Sequence, residues 1–370
     1  MRAVEVRLPA CRYAVTIGRG LLEQLRRLLD ESMTGRDLVV VTEPVVWRQH
    51  GRALLAGLGE LEPAAVLQVP SGEQAKSLAW ASRLYDGLLK AGCDRKTGIV
   101  AFGGGVIGDL AGFVAATFMR GVPLVGVPTT LLAMVDSSVG GKVAVNHPLG
   151  KNVIGAFHQP VAVVADLATL DTLPTAQLAA GAVEAVKYGL LGDRELLTHC
   201  RSTPFGKWDL ARVVADSVRN KAAVVALDER EAGPRRRLNL GHTLGHALEA
   251  ATRYRGYLHG EAVAVGTLYA FRLSILRERA SEADFEAVLE LYESLGVPLA
   301  VPSVPFRRLM ELMLHDKKAH QGRLLFVLPV GLGEVEEAVG LPEPLLARAY
   351  AELSARLDRI GVRPARGGKR

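Results

Sequence analysis

Between Asn239 and Glu261 the chain reads Asn-Leu-Gly-His242-Thr-Leu-Gly-His246 and then, after an interval, Leu258-His259-Gly-Glu261. Three of the nine histidines fall in this stretch, and imidazole is the commonest protein ligand for a transition metal. On a helix His242 and His246, four apart, share one face, with Leu240, Leu244, Ala247 and Leu248 available to pack it. One such histidine alone reads as an ordinary half-buried side chain. Three among glycines that allow close approach read as a metal site. A zinc centre with three protein ligands and an open position asks for a further partner, often a carboxylate. This segment does not identify it.

The lysines are a second guide. Of 45 basic residues 34 are arginine and 11 lysine, so lysine is the exception to the default cation. Seven of the 11, Lys76, Lys142, Lys151, Lys187, Lys221, Lys317 and Lys318, lie in clusters with glycine, acids or histidine. A compact ammonium of tunable pKa suits phosphate binding and proton traffic. Several of these lysines have apolar or glycine-rich surroundings, which weighs against chance placement on the surface.

Gly103-Gly-Gly-Val-Ile-Gly108-Asp109 matches G-x-G-x-x-G after a strand-like run. Glycines there let backbone N–H groups approach a pyrophosphate at a helix N-terminus. The match lies well inside the sheet rather than at its first strand, and no acidic residue is identified at the usual distance. It reads as a nucleotide site built differently from the common Rossmann unit. Pro70–Lys76 follows another strand with polar groups able to grip a ribose. The run from Pro128 to Asn152 mixes hydroxyls, Asp136, the Gly140-Gly141 pair, Lys142 and Lys151. It reads as a phosphate pocket; as structure alone it is a turn-rich hairpin.

These residues need elements to hold them. Leu38–Val41, Ala65–Val69, Gly98–Phe102, Pro123–Val127 and Val161–Asp166 are strand-like, a helical pattern covers Ala79–Leu89, and Leu110–Ala116 is an apolar segment opened by the glycine loop. Strands separated by helical segments imply a mostly parallel sheet with helices on both faces. After Leu173-Pro174 the pattern turns helical: Thr175–Leu191, Asp209–Leu227, Thr243–Thr252, Gly260–Arg277, Glu282–Leu295 and Pro342–Leu357, interrupted by a strand-like Leu324–Pro329. The expectation is an N-terminal Rossmann-like α/β domain over residues 1–173 and a mainly α-helical domain over 174–370, with the cleft between them as the default site.

Composition narrows the class. The chain has 370 residues, 49% of them hydrophobic and 23% charged, ordinary values for a soluble globular protein that is long enough for two domains. No apolar run could span a bilayer, and the start Met1-Arg-Ala-Val-Glu-Val-Arg lacks a signal-peptide core. Cys11, Cys93 and Cys200 are odd in number, far apart and not in metal spacing; buried thiols and a reduced, cytoplasmic setting are expected. The net charge of +6 is scattered, dense only at Arg235-Arg236-Arg237 and in the tail from Arg363 to Arg370. Without interleaved aromatics to stack bases, this excludes nucleic acid as a partner. The tail reads as a solvated end.

Taken in order, Ser71–Lys76, Gly103–Asp109, Pro128–Asn152, Glu184–Lys187, Asn239–His246 and His259–Glu261 resemble the 3-dehydroquinate synthase family of the sugar phosphate cyclases, over nearly the whole chain. The resemblance implies the dehydroquinate synthase-like fold and a zinc or cobalt site of Glu184, His242 and His259. Lys187 then lies one turn beyond Glu184 on the same face. His246, which spacing alone would make a ligand, is implied in proton transfer instead. For NAD the resemblance points to Glu43 (where many relatives carry Asp), Ser71, Gly72, Glu73, Gln74, Ala75, Lys76, Gly104, Gly105, Val106, Ile107, Gly108, Asp109, Thr129, Thr130, Lys142, Lys151, Thr169, Leu170, Asp171 and Thr172. For catalysis it points to Asp136, Lys142, Asn152, Lys187, Glu231 and His246. For substrate binding it adds Arg120, Lys221, Arg235, Asn239, Lys317 and Lys318, with Arg120 reaching the partner's site in a homodimer.

The implied activity is that of a cytoplasmic lyase in the second step of the shikimate pathway, towards chorismate and the aromatic amino acids. It converts 3-deoxy-D-arabino-heptulosonate 7-phosphate to 3-dehydroquinate and phosphate. NAD⁺ removes hydride at C5, phosphate leaves, hydride returns, and ring opening with an intramolecular aldol step closes the carbocycle. Sister cyclases making 2-epi-5-epi-valiolone or 2-deoxy-scyllo-inosose share the machinery but use substrates lacking the carboxylate; Arg235, Asn239, His246 and Lys317-Lys318 favour the carboxylate substrate. A polyol dehydrogenase would accumulate NADH and would not need so many phosphate-facing cations. A catalytically silent nucleotide-binding protein is disfavoured by the full set of matched polar residues.

Overall fold

A computed structural model describes residues 1–29, 33, 35–315 and 323–360. Lys317, Lys318 and the basic tail lie outside the described residues. In chain order the elements are β1 (Arg2–Arg7), β2 (Arg12–Gly18), α1 (Leu25–Leu28), β3 (Leu38–Thr42), α2 (Pro44–Leu58), β4 (Ala65–Gln68), α3 (Leu78–Lys90), β5 (Gly98–Gly103), α4 (Gly105–Thr117), β6 (Leu124–Pro128), β7 (Lys142–His147), β8 (Gly150–Phe157) and β9 (Ala162–Asp166). They continue as α5 (Thr175–Leu190), α6 (Arg194–Ser202), α7 (Leu210–Leu227), α8 (His242–Ala251), α9 (His259–Leu276), α10 (Glu282–Ser294), α11 (Phe306–His315), β10 (Leu325–Pro329), β11 (Val335–Val339) and α12 (Glu343–Ile360). Among the described residues no helix is long and apolar enough to cross a membrane.

The first unit comprises Met1–Pro174 and Asp209–Arg230. Its seven-stranded sheet has the order β1-β2-β9-β6-β5-β3-β4, parallel except for the β1–β2 pair. The Leu-Val-Val-Val-Thr strand β3, next to the edge strand β4, is buried throughout, as a strand covered on both faces must be. Val39 and Val41 join one core with the apolar sides of α3, α4 and β7. Leu38 and Val40 join the other, with Leu25, Val46, Leu54 and Leu58. After β3 the chain builds β4 on one flank, then returns to place β5 on the other. That reversal of strand order opens a crevice beyond the carboxyl ends of β3 and β5, the usual ligand position in such sheets.

The second unit comprises Thr175–Trp208 and Glu231–Arg370, mainly helical with the antiparallel ribbon β10–β11. Its centre is α9, with Ala262–Ser274 buried along its length and α5, α8, α10 and α12 packed around it. Close approach needs bare backbone at two places. A Cβ on Gly260 would lie 2.0 Å from the Ala180 carbonyl oxygen, and one on Gly266 would lie 1.8 Å from that of Gly241.

The structure differs from the sequence reading in several respects, and α2, α6, α11 and β11 were not anticipated. Helix α7 belongs to the first unit rather than to a helical domain covering all of 174–370, because its apolar side, including Val213, Val214 and Val218, packs on β1 and β2. Strands β1 and β2 were not anticipated; inside the charged run of β1 only Val4 and Val6 point inward. The run from Pro128 to Asn152 holds a short π-helical turn, Ala133–Ser137, followed by the hairpin β7–β8, in line with its turn-rich pattern. Cys93 and Cys200 are buried as expected, whereas Cys11 is partly exposed, and all three thiols are free.

Replacing Gly266 with alanine tests the α8–α9 contact. The better helix propensity of alanine is worth about 1 kcal/mol, less than the roughly 1–3 kcal/mol of an overpacked core. Urea denaturation is expected to show net destabilisation; an equally or more stable variant would show that the two helices separate freely.

Candidate active site

In the second unit three helices converge on one point. Glu184 on α5 is fully buried. His242 opens α8 after Gly241, whose φ of 78° lies in the left-handed region that glycine adopts readily. His259 opens α9, where the Glu261 carboxylate accepts the Leu258 N–H at 2.8 Å. One ligand atom from each of Glu184, His242 and His259 lies within 4.8 Å of the others. The Nε2 atoms of His242 and His259 are 3.8 and 3.5 Å from Glu184 Oε1.

The outer ring nitrogens set the tautomers. His242 Nδ1 lies 2.9 Å from the Leu240 carbonyl oxygen, which can only accept, so Nδ1 carries the proton and the Nε2 lone pair faces Glu184. His259 Nδ1 lies 3.2 Å from Glu249 Oε2, with the same result for the neutral ring. One carboxylate and two imidazole Nε2 atoms turned inward, each proton-free in its neutral ring, fit a four-coordinate divalent ion with an open position. Lys187, also buried, pairs with Glu184 from the next turn of α5. The His246 ring is 5.4 Å from that of His242 and 6.0 Å from that of His259. It joins a second cluster with Glu249 and His259, so it stands beside the Glu184 group and not in it.

Elsewhere in this unit Arg235 is buried in a 3₁₀ turn, Pro234–Asn239. Asn239 at its end donates from Nδ2 to Glu231 Oε1 at 2.9 Å. Glu231 has a φ of 59°, an unfavourable region for a non-glycine residue.

In the first unit the residues matched to NAD gather at the carboxyl ends of the parallel strands. Glu43 follows β3, Ser71–Lys76 follow β4, Gly104–Asp109 follow β5, Thr129 and Thr130 follow β6, and Thr169–Thr172 follow β9. A Cβ on Gly104 would come within 3.0 Å of Thr130 Cγ2, and one on Gly105 within 3.1 Å of Ser137 Oγ. The glycines therefore keep open a cradle at the start of α4, where Val106, Ile107 and Gly108 form the first turn. A small recess open to solvent is lined there by Gly104, Gly105, Asp109, Ser138, Lys142 and Val143. This fits a pyrophosphate against helix N–H groups. Leu170 is itself buried and Asp171 pairs with Arg19, while Thr172 Oγ1 lies 2.8 Å from His50 Nε2.

Lys76 is buried and pairs with Asp109 and with Asn152 Oδ1. Burial pushes the Asp109 carboxyl up, and Lys76 only partly offsets that. Asn152, at the left-handed φ of 54°, donates its N–H to Asn146 Oδ1 at 2.9 Å. Asn146 Nδ2 in turn donates to Glu73 Oε1 at 2.8 Å, which also faces Lys151 Nζ at 3.7 Å. Lys221 reaches the Asp136 carbonyl at 2.7 Å and its carboxylate at 2.8 Å. Arg120 is exposed, with a φ of 69°.

Two residues of these clusters escaped the sequence reading. Asn146 stood inside a quoted run without a role. Glu249 had a legible signal, since His242, His246 and Glu249 fall at i, i+4 and i+7, one helix face.

A doubly wound unit with a glycine cradle, and a helical unit with a Glu-His-His cluster, are the architecture of the NAD- and metal-dependent sugar phosphate cyclases. Among solved structures, 2-epi-5-epi-valiolone synthase from Streptomyces hygroscopicus subsp. jinggangensis, with NAD⁺ and Zn²⁺ bound, is 25% identical with a TM-score of 0.86, covering 96% of this chain and 100% of that one. A 2-deoxy-scyllo-inosose synthase complexed with carbaglucose-6-phosphate, NAD⁺ and Co²⁺ is 26% identical with a TM-score of 0.85, covering 95% and 99%. The 3-dehydroquinate synthase N-terminal family matches residues 66–180 and its C-terminal counterpart residues 181–319. The 3-dehydroquinate synthase of Desulforamulus reducens is 44% identical over 91% of this chain and 96% of its own. The chain belongs to the 3-dehydroquinate synthase family.

The His259 environment yields a pH dependence. Burial opposes the charged ring, but the Glu249 and Glu184 carboxylates outweigh it and hold the pKa up at about 9 in the metal-free protein, against 6.5 for the free side chain. The stabilisation is fully present below pH 6.5 and lost as pH rises through 9. A metal must displace that proton, so its affinity climbs over the same window. Thermal denaturation with zinc and with chelator is expected to show a gap that widens with pH. A constant gap would show that His259 does not exchange a proton for metal.

Proposed function

We infer that the chain catalyses the 3-dehydroquinate synthase reaction: elimination of phosphate from 3-deoxy-D-arabino-heptulosonate 7-phosphate and closure to 3-dehydroquinate, with no net oxidation. The observation that carries this is the convergence of Glu184, His242 and His259 in a chain 44% identical to a synthase of that name along 91% of its length. When bound, NAD supplies a transient hydride acceptor and a divalent metal a Lewis acid for the substrate hydroxyls. Glu184, His242 and His259 hold the metal. Glu43, Ser71–Lys76, Gly104–Asp109, Thr129, Thr130, Lys142, Lys151 and Thr169–Thr172 form the dinucleotide site.

The remaining residues grip the substrate and move protons. Arg235, permanently charged, presents a planar fork matched to a carboxylate, and Asn239 is steadied beside it by Glu231. Lys142 and Asn152 take the phosphate, with Asn152 oriented by Lys76 and Asn146. Lys187, His246 and the Asp136–Lys221 pair orient hydroxyls and carry protons. Lys317 and Lys318, outside the described residues, add to the carboxylate site. The chain works as a cytoplasmic homodimer in which Arg120 completes the partner's phosphate site, the unit of Met1–Pro174 and Asp209–Arg230 binding NAD and the unit of Thr175–Trp208 and Glu231–Arg370 binding the metal.

Phosphate release and 340 nm absorbance, followed together on the heptulosonate phosphate with NAD⁺ and zinc, test the reaction. Stoichiometric phosphate without lasting NADH, abolished by chelator, is expected. Activity only on sedoheptulose 7-phosphate or glucose 6-phosphate would move the chain to a sister cyclase, and NADH accumulating on a polyol would end the cyclase reading. The Arg120 role is tested by mixing inactive Arg120→Ala and Lys142→Ala chains. Heterodimers regain one intact site in two, so roughly a quarter of wild-type activity should return. No recovery would place Arg120 in its own subunit's site.

A further inference from the structure

Helix α8 carries a buried carboxylate, Glu249, that the reaction as derived does not use. It lies seven residues after His242 and three after His246, on the face that both histidines occupy. Its Oε2 is 3.2 Å from His259 Nδ1, while Nε2 of the same ring is 3.5 Å from Glu184 Oε1. The imidazole is therefore held between two carboxylates, one at each nitrogen. Burying a carboxylate is costly unless its charge is met, so its place here needs a reason.

We propose that Glu249 is a positioning residue for the metal centre: it holds the Nδ1 proton of His259, fixes the ring plane, and turns Nε2 towards Glu184 and His242, where an arriving ion takes the place of the second proton. This rests on the metal reading of Glu184, His242 and His259. The two histidine ligands differ in their outer partners. His242 donates to a neutral carbonyl, that of Leu240, whereas His259 donates to an anion. An anionic acceptor makes the imidazole more electron-rich and adds a negative charge close to a dication. His259 is then the stronger donor of the pair, and Glu249 sets that difference. The same carboxylate lies within 4.8 Å of a His246 ring nitrogen, which leaves one competing assignment: Glu249 as a direct ligand of a second ion shared with His246 and His259.

Full-length wild-type protein, Glu249→Gln and Glu249→Asp, each stripped of metal, would be titrated with Co²⁺ by its visible absorption and with Zn²⁺ against a competing chelator. Ion stoichiometry and apo-protein Tm would be read alongside. The expected result is one ion per chain, binding tenfold to a hundredfold weaker in Glu249→Gln and partly recovered in Glu249→Asp, with an apo Glu249→Gln chain that stays folded but melts lower than wild type. Long-range ¹H–¹⁵N spectra of the wild-type apo protein, at a pH where the ring is neutral, should show His259 protonated at Nδ1. Equal affinity in wild type and Glu249→Gln, or a ring protonated at Nε2, would overturn the role of Glu249 alone. Two ions per chain, with one lost in Glu249→Gln, would replace it by direct ligation. A wild-type chain that binds neither ion would overturn the metal centre itself.

Discussion

A carboxylate with no exposure to water, Glu184, organises the second unit. Such a charge survives burial only where its surroundings answer it, and here the answer comes from separate helices. Lys187 supplies the cation one turn along α5, and the histidines that open α8 and α9 turn their inner nitrogens towards it. To bring those helix ends so near, backbone must lie on backbone, hence the bare Cα at Gly260 and Gly266. The glycines, the helix caps and the outer hydrogen bonds of the imidazoles all follow from one buried charge.

The first unit obeys a different constraint, the order of its strands. Because β4 and β5 lie on opposite flanks of β3, the loops after β3 and β5 diverge and leave room between them. The residues matched to NAD by resemblance, scattered from Glu43 to Thr172 along the chain, thus come to one edge of the sheet. The hairpin β7–β8 is tied to this edge through Asn146 and Glu73, and Lys76 connects the glycine helix to Asn152. The glycine helix, the loop after β4 and the β7–β8 hairpin therefore share one hydrogen-bonded frame.

Much of this was legible in the residues. The unbroken Leu-Val-Val-Val-Thr of β3 could only be a covered strand, and the glycine run after β5 announced a helix start. The resemblance supplied Glu184, which spacing could not, since α5 meets α8 and α9 only through tertiary packing. Local pattern also mistook the company of His242: its i,i+4 neighbour is His246, yet the third member of the Glu184 cluster comes from the head of another helix. The β1–β2 hairpin was hidden because two valines among charges make a faint alternation. The allegiance of α7 was hidden for a deeper reason: an amphipathic stripe says that a helix has a core to join, not which one.

Asn152 carries an implication for how this protein can vary. Its backbone sits at a φ of 54°, a region that glycine, asparagine and aspartate enter far more readily than other residues. Glycine there would drop the amide that meets Lys76. Aspartate would set a second anion beside Asp109 around a single ammonium, and repel any phosphate brought near. The backbone and the electrostatics each admit a short alphabet of amino acids, and asparagine is where the two alphabets intersect.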